Sequence, residues 1–174
     1  GQAQNDVDLG GQRALVTGGG RGIGRAIAVA LAAAGARVAV LARTRSQVQA
    51  VATELASHGA QGRAVTADVG DPQQVTEAVA GLEAAWGGID ILVNNAGALG
   101  AVGLAHQTDA EAWLQTVRVN LGGCYLCCRA VLPGMIDRGR GSIVNLSGGG
   151  AFDPRPRFSA YGAAKAGVVR FTET

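Results

Sequence analysis

The stretch Arg13–Gly24, RALVTGGGRGIG, places a short apolar strand directly before a glycine-rich loop and the start of a helix. Its glycines do not follow the dinucleotide pattern G-x-G-x-x-G, because the positions where the last glycine would fall are Ile23 and Arg25. They do not form a P-loop either, since Gly24 is followed by Arg25-Ala26 instead of Lys-Ser or Lys-Thr. The remaining pattern, Thr-Gly-x-x-x-Gly-x-Gly, permits a tight turn in which a helix N-terminus faces the pyrophosphate of a nucleotide.

Beyond this stretch, short β-rich runs alternate with longer helical ones. Strands are predicted at Arg13–Thr17, Arg37–Ala42, Gly62–Ala67, Ile89–Asn94 and Ser142–Leu146. Helices are predicted at about Gly22–Ala34, Ser46–Ser57, Pro72–Trp86 and Asp109–Arg138, and a last one begins at about Ser159. The strand cores are continuously apolar, as is typical of parallel strands covered on both faces. The sequence therefore predicts an α/β fold, a doubly wound parallel sheet in three α/β/α layers.

Length and composition are those of one globular α/β domain. The chain has 174 residues, 48% of them hydrophobic, and its 28 glycines fall in turns between apolar runs. The net charge of +2 is too small to indicate a nucleic-acid or membrane-surface partner. Residues 1–10 are polar or small and resemble a loose leader, not a signal peptide, and no apolar run approaches the roughly 20 residues that span a bilayer. A cytoplasmic location is therefore predicted.

The three cysteines, Cys124, Cys127 and Cys128, include a C-x-x-C spacing within a predicted helix. No second cysteine pair or histidine lies near them in the sequence. Buried apolar packing is therefore the prediction, a metal or redox site is the alternative, and no metal is expected.

Polar motifs follow the ends of all five predicted strands, at the edge where a parallel α/β sheet binds its ligand. In strand order they are Thr17–Gly24, Arg43, Asp68, Asn94–Gly97 and Ser147. Tight turns and close packing are the alternative explanation for the glycines, and a turn with local side-chain hydrogen bonds is the alternative for Asn95. The coincidence of five positions favours a nucleotide site.

Tyr161 and Lys165 lie four residues apart in the last predicted helix. Side chains at i and i+4 share a helix face, and a nearby cation favours the ionised form of a phenol. Beside a nucleotide cofactor, such a tyrosine can donate a proton while hydride is transferred to a carbonyl. For Lys165 taken alone, a solvated helix face is the alternative.

With these motifs the sequence resembles the short-chain dehydrogenase/reductase family, in its common shorter branch, over nearly the whole chain. The resemblance rests on Thr17–Gly24, Asp68-Val69, Asn94–Gly97, Asn120 within Val119–Leu121, and Tyr161 with Lys165. It implies a Rossmann-like fold and the NAD(P)-dependent interconversion of a carbonyl and an alcohol. Tyr161 would exchange the proton, Lys165 would bind the nicotinamide ribose, and Asn120 would hold a water in the proton relay. A helix-interrupting cap is the alternative for Asn120.

The resemblance also indicates which residues would hold the cofactor. They are Gly18, Gly20, Arg21, Gly22, Ile23, Gly24, Arg43, Asp68, Val69, Asn94, Ala96 and Gly97, together with Tyr161 and Lys165. An acid after the second strand would indicate NAD, but Leu41–Arg45 contains arginines and no acid. NADP(H) is therefore predicted over NAD(H), with Arg21 and Arg43 at the 2′-phosphate, and solvated surface arginines are the alternative.

Two features depart from the family pattern. The family's substrate-orienting serine usually stands thirteen residues before the tyrosine, where this chain has Gly148. Its neighbour Ser147 is the predicted replacement because the glycines after it allow the chain to bend, although a one-residue offset on a strand turns a side chain to the other face. Family members also continue beyond the helix of Tyr161. The dinucleotide-binding domain at 11–174 is therefore expected to be incomplete, with its last strands missing and its fifth strand an exposed edge.

Three functions stay open at this point. They are an NADP(H)-dependent alcohol dehydrogenase or ketoreductase, a cofactor-binding module or sensor subunit without turnover, and a different nucleotide-using enzyme such as a methyltransferase. The expected partner is a small carbonyl or alcohol compound, and Arg155 and Arg157 fit either an acidic group on it or ordinary solvent-facing loop charges. A dimer or tetramer through the Asp109–Arg138 helix and the helix after Ser159 is the family expectation, with core packing of the long helix as the alternative.

Overall fold

The computed structural model describes residues 7–174, so the first six residues of the predicted leader lie outside the described residues. Its strands are β1 (Arg13–Thr17), β2 (Arg37–Ala42), β3 (Gly62–Thr66), β4 (Ile91–Asn94) and β5 (Ser142–Asn145). They form one parallel sheet in the order β3-β2-β1-β4-β5, which confirms the predicted doubly wound fold. The strands that follow β1 are added first on one side of it, as β2 and β3, and then on the other side, as β4 and β5. A crevice forms between β1 and β4, at the carboxyl ends of the strands.

Helices cover both faces of the sheet. They are α1 (Gly22–Ala33), α2 (Arg45–Ser57), α3 (Pro72–Trp86), α4 (Ala110–Val117), α5 (Gly123–Asp137) and α6 (Ser159–Thr172), with a π-helical turn at Arg118–Gly122 between α4 and α5. The ends of α3 show why the sequence signals were readable. The Asp71 side chain accepts hydrogen bonds from the backbone N–H groups of Gln73 and Gln74, and Gly87 ends the helix in the left-handed conformation at φ 78°.

The core consists of two apolar layers, one on each face of the sheet. Along β1, Leu15 belongs to one layer and Val16 to the other, as the alternation of side chains on a strand requires. The layer of Leu15 also contains Cys124, Cys127 and Cys128, all buried and free of disulfides. Burial raises the pKa of the Cys127 thiol to about 12. The cysteines therefore pack as small apolar side chains, as predicted.

One long helix runs from residue 110 to residue 137 through the π-helical turn. By length and composition alone this helix is apolar enough to cross a membrane, because its mean hydropathy over 18 residues is 1.3. A segment of this kind had not been predicted from the sequence. Its inner side, including Val131 and Met135, packs in the core against the sheet. Core helices commonly pass the same test, so this one is assigned to the core. Tyr125, Leu132 and Ile136 are exposed on its outer side.

A buried carboxylate joins three segments at the end of the sheet opposite the crevice. The Asp90 side chain accepts two hydrogen bonds from the Arg13 guanidinium, at 2.7 and 2.9 Å, and Arg140 lies 3.4 Å away. Only 5% of the Asp90 side chain and 12% of the Arg13 side chain are exposed. The hydrogen bonds from Arg13 hold the pKa of the Asp90 carboxyl below its ordinary value.

Replacing Asp90 by Asn is expected to lower the free energy of unfolding by about 3 kcal/mol at neutral pH, because Arg13 would be left as a buried cation without its partner. Since the folded-state pKa of Asp90 is lowered, its contribution is complete above the unfolded-state pKa of about 4 and is lost as the pH falls through the folded-state value. Urea unfolding of both proteins at neutral pH and at falling acidic pH measures this. A difference that stays constant into strong acid would contradict the assignment.

Candidate functional site

The loop after β1 approaches its neighbours so closely that only glycine fits at several positions. Gly18 (φ 62°) and Gly22 (φ 53°) adopt the left-handed conformation, which costs glycine little. A Cβ built on Gly24 would overlap the carbonyl oxygen of Gly18, and one built on Gly18 would lie 2.9 Å from the Cα of Ala96. The loop therefore leaves bare backbone in front of the N-terminus of α1, where an anionic group can approach N–H donors.

Thr17 and Asn95 bind the ends of β1 and β4 together below this loop. The Thr17 hydroxyl accepts hydrogen bonds from the backbone N–H groups of Asn95, at 3.1 Å, and Ala96, at 3.0 Å. The Asn95 amide donates to the carbonyl oxygens of Thr17, at 3.1 Å, and Gly18, at 3.2 Å. These four bonds fix the loop against the strand that supplies the opposite wall of the crevice. Two interpretations of Asn95 were left open by its sequence position. In the structure its side chain stabilises the walls of the site.

A cavity of about 710 Å³ opens along the carboxyl ends of the strands. Its size is within the range of roughly 300 to 1,000 Å³ that small-molecule sites occupy. It is lined by most of the predicted cofactor-binding residues, namely Gly18, Gly20, Arg21, Gly22, Ile23, Gly24, Arg43, Asp68, Val69, Ala96 and Gly97. The structure therefore brings together residues from the ends of four strands in one concave surface.

Two arginines line the end of the cavity next to β2. Arg21 and Arg43 are both exposed, and neither takes part in an ion pair within 4.0 Å among the described residues. Thr44 and Gln47 line the same end and were missed in the sequence, where nothing marks them except their position just after Arg43. A Cβ built on Gly20 would lie 2.9 Å from the Cβ of Gln47, so this glycine also allows a close approach.

Asn94, which was predicted to bind the cofactor, does not line the cavity. Its amide donates to the side-chain oxygen of Asn145 at 2.9 Å, to the Cys128 sulfur at 3.3 Å and to the Cys124 carbonyl at 3.4 Å. The side chain is buried, and it joins β4 to β5 and α5. Asn94 is the last residue of a strand whose alternation turns its side chain toward the core, whereas Asn95 follows the strand.

Asn120 lies in the π-helical turn, and its side chain makes three hydrogen bonds. Its amide donates to the carbonyl oxygens of Ala98 and Thr116, both at 2.8 Å, and its side-chain oxygen accepts from the N–H of Ala98 at 3.2 Å. A Cβ built on Gly97 would lie 2.7 Å from this oxygen. Asn120 thus holds the segment after β4 against the π-helical turn, and it caps neither α4 nor α5. Such π turns are frequent at functional sites.

Lys165 reaches this region from α6. Its Nζ donates to the carbonyl oxygen of Leu146 at 2.9 Å and would lie 3.6 Å from a Cβ built on Gly97. The side chain is 5% exposed, so it is not the solvated helix face that was the alternative. Burial lowers the pKa of the Lys165 ammonium, an effect that the nearby Cys124 partly offsets. Nζ also lies 5.8 Å from the centre of the Tyr161 ring, as the i and i+4 spacing predicted.

The Tyr161 hydroxyl lies against the backbone of Gly148, and Ser147 is exposed. A Cβ built on Gly148 would overlap the Tyr161 hydroxyl oxygen and lie 3.0 Å from the ring carbon that carries it. A serine at position 148 would therefore not fit beside Tyr161 as it is placed. No side-chain hydrogen bond of Ser147 occurs within residues 7–174. None of the four predicted catalytic residues, Asn120, Ser147, Tyr161 and Lys165, lines the cavity itself.

The chain is similar to known proteins in both sequence and structure. The family model of the short chain dehydrogenase matches residues 12–174. Over 169 residues the chain is 38% identical to the 2,3-dihydro-2,3-dihydroxybenzoate dehydrogenase of Bacillus subtilis (strain 168), and the match covers 97% of the chain but only 64% of that protein. The chain thus spans less than two thirds of this relative's length.

Solved structures agree with this match. The structure of a metagenomic short-chain oxidoreductase in complex with NADP is 37% identical, with a TM-score of 0.91 over 95% of the chain and 75% of that structure. The structure of an NAD⁺-bound xylitol dehydrogenase is 30% identical, with a TM-score of 0.92 over 95% of the chain and 64% of that structure. One similar protein thus holds NADP and another holds NAD⁺.

Proposed function

The chain belongs to the short-chain dehydrogenase family, and on this premise we propose that it is an oxidoreductase that interconverts a carbonyl and an alcohol with a nicotinamide cofactor. The observation that supports this most directly is that Lys165 and Asn120 both approach Gly97, which lines the cavity, and that Tyr161 lies beside Lys165. A methyltransferase, the alternative nucleotide-using enzyme, has no need of that arrangement and lacks the support of the family match.

The glycine loop fits the pyrophosphate of a dinucleotide, because Gly18, Gly22 and Gly24 leave no side chain between an anion and the N-terminus of α1. When bound there, NAD(P)(H) would supply or accept the hydride. Asp68 would accept a hydrogen bond from the adenine amino group, and the backbone of Val69 would assist it. Both residues line the cavity on the side of β3.

The proton would be carried by this chain's own side chains. Tyr161 would give a proton to the carbonyl oxygen during reduction and take it back during oxidation. Lys165 would favour the phenolate form of Tyr161 by its charge and would bind the nicotinamide ribose through Nζ. Because its pKa is lowered by burial, Lys165 also releases a proton more readily than an exposed lysine. Asn120 would hold the π turn and the water that links Lys165 to solvent.

NADP(H) is the proposed cofactor in preference to NAD(H). Arg21 and Arg43 line one end of the cavity without ion-pair partners in the part of the chain that the structure describes. A guanidinium matches the geometry of a phosphate and binds it through two parallel hydrogen bonds. The ribose of NAD carries a hydroxyl at the same place and gains little from two cations.

Replacing Arg43 by Ala is therefore expected to weaken NADPH binding by about tenfold or more and to leave NADH binding within about twofold, since a hydrogen bond to a charged group contributes roughly 1.5 to 3 kcal/mol. Calorimetric titration of the 174-residue chain with each cofactor measures this directly.

Arg45 is the matched control for Arg43, because it stands two residues further on at the start of α2 and does not line the cavity. Replacing Arg45 by Ala should leave both dissociation constants unchanged. Tighter binding of NADH than of NADPH by the unmodified chain, or an equal loss for both cofactors in the Arg43 variant, would contradict the NADP(H) proposal.

Ser147 would orient the substrate if the Ser147–Gly150 turn moved when substrate binds. A catalytically impaired cofactor-binding module or sensor subunit is the second candidate function, favoured by Gly148 at the family's serine position. Residues 11–174 would form the dinucleotide-binding domain of a cytoplasmic dimer or tetramer. The exposed Tyr125, Leu132 and Ile136 of α5 support such an assembly.

A further inference from the structure

The loop between β5 and α6 brings an arginine to the tyrosine. The guanidinium carbon of Arg155 lies 4.0 Å from the centre of the Phe158 ring and 5.7 Å from the centre of the Tyr161 ring. Arg155 is exposed as a residue, yet its charged end rests on two aromatic faces. Stacking of this kind attracts a guanidinium to the ring face and holds it in place.

The loop runs close to the Arg155 side chain, most tightly at Gly150, whose φ of 94° also favours glycine. A Cβ built on Gly149 would lie 3.4 Å from Nη1 of Arg155, and one built on Gly150 would lie 3.1 Å from the Arg155 Cβ. Gly148 allows the Tyr161 hydroxyl to lie against the backbone of the same turn. The turn is closed by two backbone hydrogen bonds, from Ala151 to Gly148 and from Phe158 to Arg155, both at 3.2 Å. The loop therefore presents a fixed cation beside the Tyr161 ring.

Within residues 7–174 no carboxylate lies within ion-pair distance of this cation. The ion pairs of residues 7–174 join Arg13, Arg25, Arg140 and Arg170 to carboxylates, and Arg155 is not among them. Asp153, only two residues away, forms no ion pair with it. Lys165 lies 5.8 Å from the same ring, so two positive groups flank Tyr161. A neutral ketone gains nothing from Arg155, whereas a carboxylate matches its planar fork of N–H donors.

We propose that Arg155 binds a carboxylate of the substrate, so that the site takes oxo acids and hydroxy acids whose carboxylate lies within a few bonds of the reacting carbon. This rests on the proposed function, because it places the reacting carbonyl at Tyr161. This role of Arg155 is separate from that of the family's substrate-orienting serine. Arg155 would determine which class of substrate binds and would take no part in the proton transfer. Ordinary solvent exposure would not stack its guanidinium on Tyr161.

The test measures equilibrium binding, so that it does not depend on turnover. The chain carrying Tyr161→Phe is titrated calorimetrically, with and without NADPH, with pyruvate, acetoacetate and levulinate, and with the methyl ester of each acid. In this background Arg155→Gln is expected to weaken binding of at least one acid by about tenfold to a hundredfold and that of its ester by less than about threefold. Arg155→Lys, which keeps the charge, should recover part of the loss.

Arg157 provides the matched control, because it is a second arginine of the same loop and forms no cation–π pair among the described residues. Its φ is +70°, so Arg157→Asn removes the charge while keeping a residue that tolerates this conformation. This variant should leave all six affinities unchanged. Equal losses for acid and ester in Arg155→Gln, an equal effect of Arg157→Asn, or no preference of the parent protein for any acid over its ester would overturn the proposal. Failure to bind NADPH would contradict the proposed function separately.

Discussion

Replacing Tyr161 by Phe is expected to lower the rate of carbonyl reduction by about a hundredfold to ten-thousandfold, because a positioned general acid contributes that much to a proton transfer. The dissociation constant of NADPH should change by no more than about threefold, since the glycine loop and the arginines at the other end of the cavity are untouched. The change removes one oxygen atom that lies against the backbone of Gly148, so the fold should be kept. Loss of NADPH absorbance with a panel of aldehydes and ketones measures turnover.

Tyr125 is the control for this change, as the second tyrosine of the chain. It lies half exposed on α5, with its ring 6.1 Å from that of Phe171, and does not line the cavity. Replacing Tyr125 by Phe should leave both turnover and cofactor binding unaltered. Full turnover of the Tyr161→Phe variant would rule out the proposed mechanism. NADPH binding without turnover in the unmodified chain would favour the alternative of a cofactor-binding module.

Much of the sheet was predictable because its strands are buried on both faces. The predicted bounds of β1 and β2 agree with the structure, and those of β3 and β5 are longer by one residue at their ends. For β4 the predicted start at Ile89 was two residues early. Asp90 is bonded through its backbone to both Arg13 and Ser142, at 2.8 Å each, but the ladder itself begins at Ile91. An apolar run shows that a strand is present and does not show where its pairing begins.

The site was less predictable wherever it depends on which way one side chain turns. The sequence places Asn94 and Asn95 side by side at a strand end, and only the structure shows that the first bonds to Asn145 in the next strand, 51 residues away. The same holds for Ser147 and Gly148, where the residue next to the Tyr161 hydroxyl is the glycine. The glycine loop was predictable because glycine itself marks positions where the backbone has a positive φ or passes close to another segment.

The stack of Arg155 on Tyr161 could not be predicted for a different reason. It depends on how an irregular loop returns to the helix that follows it, and no periodicity constrains such a path. Gly150, where the loop passes closest to Arg155, is only one glycine of a flexible run in the sequence. Only the structure shows how closely the backbone of this loop approaches the Arg155 side chain.

The second large effect is expected at Gly24, where replacement by Ala should abolish measurable NADPH binding and destabilise the fold by about 1 to 3 kcal/mol. The added Cβ would overlap the carbonyl oxygen and carbon of Gly18 and the amide of Asn95, all of which are held by the hydrogen bonds that join β1 to β4. Backbone cannot move aside as a flexible side chain can. The loop must therefore open, and with it the anion-binding end of α1. Calorimetric titration with NADPH and urea unfolding measure the two effects.

Gly81 offers the matching Gly→Ala control, because it lies in the middle of α3 and a Cβ there meets no atom within 4 Å. An alanine at an exposed helix position should raise the free energy of unfolding by about 0.5 to 1 kcal/mol and leave the affinity for NADPH unchanged. The same chemical change would thus act in opposite directions at two glycines, and the difference would measure the close approach at the loop. Normal NADPH binding by the Gly24→Ala variant would show that the backbone of this loop does not form the pyrophosphate site, and the nucleotide would then have to be placed elsewhere along the crevice.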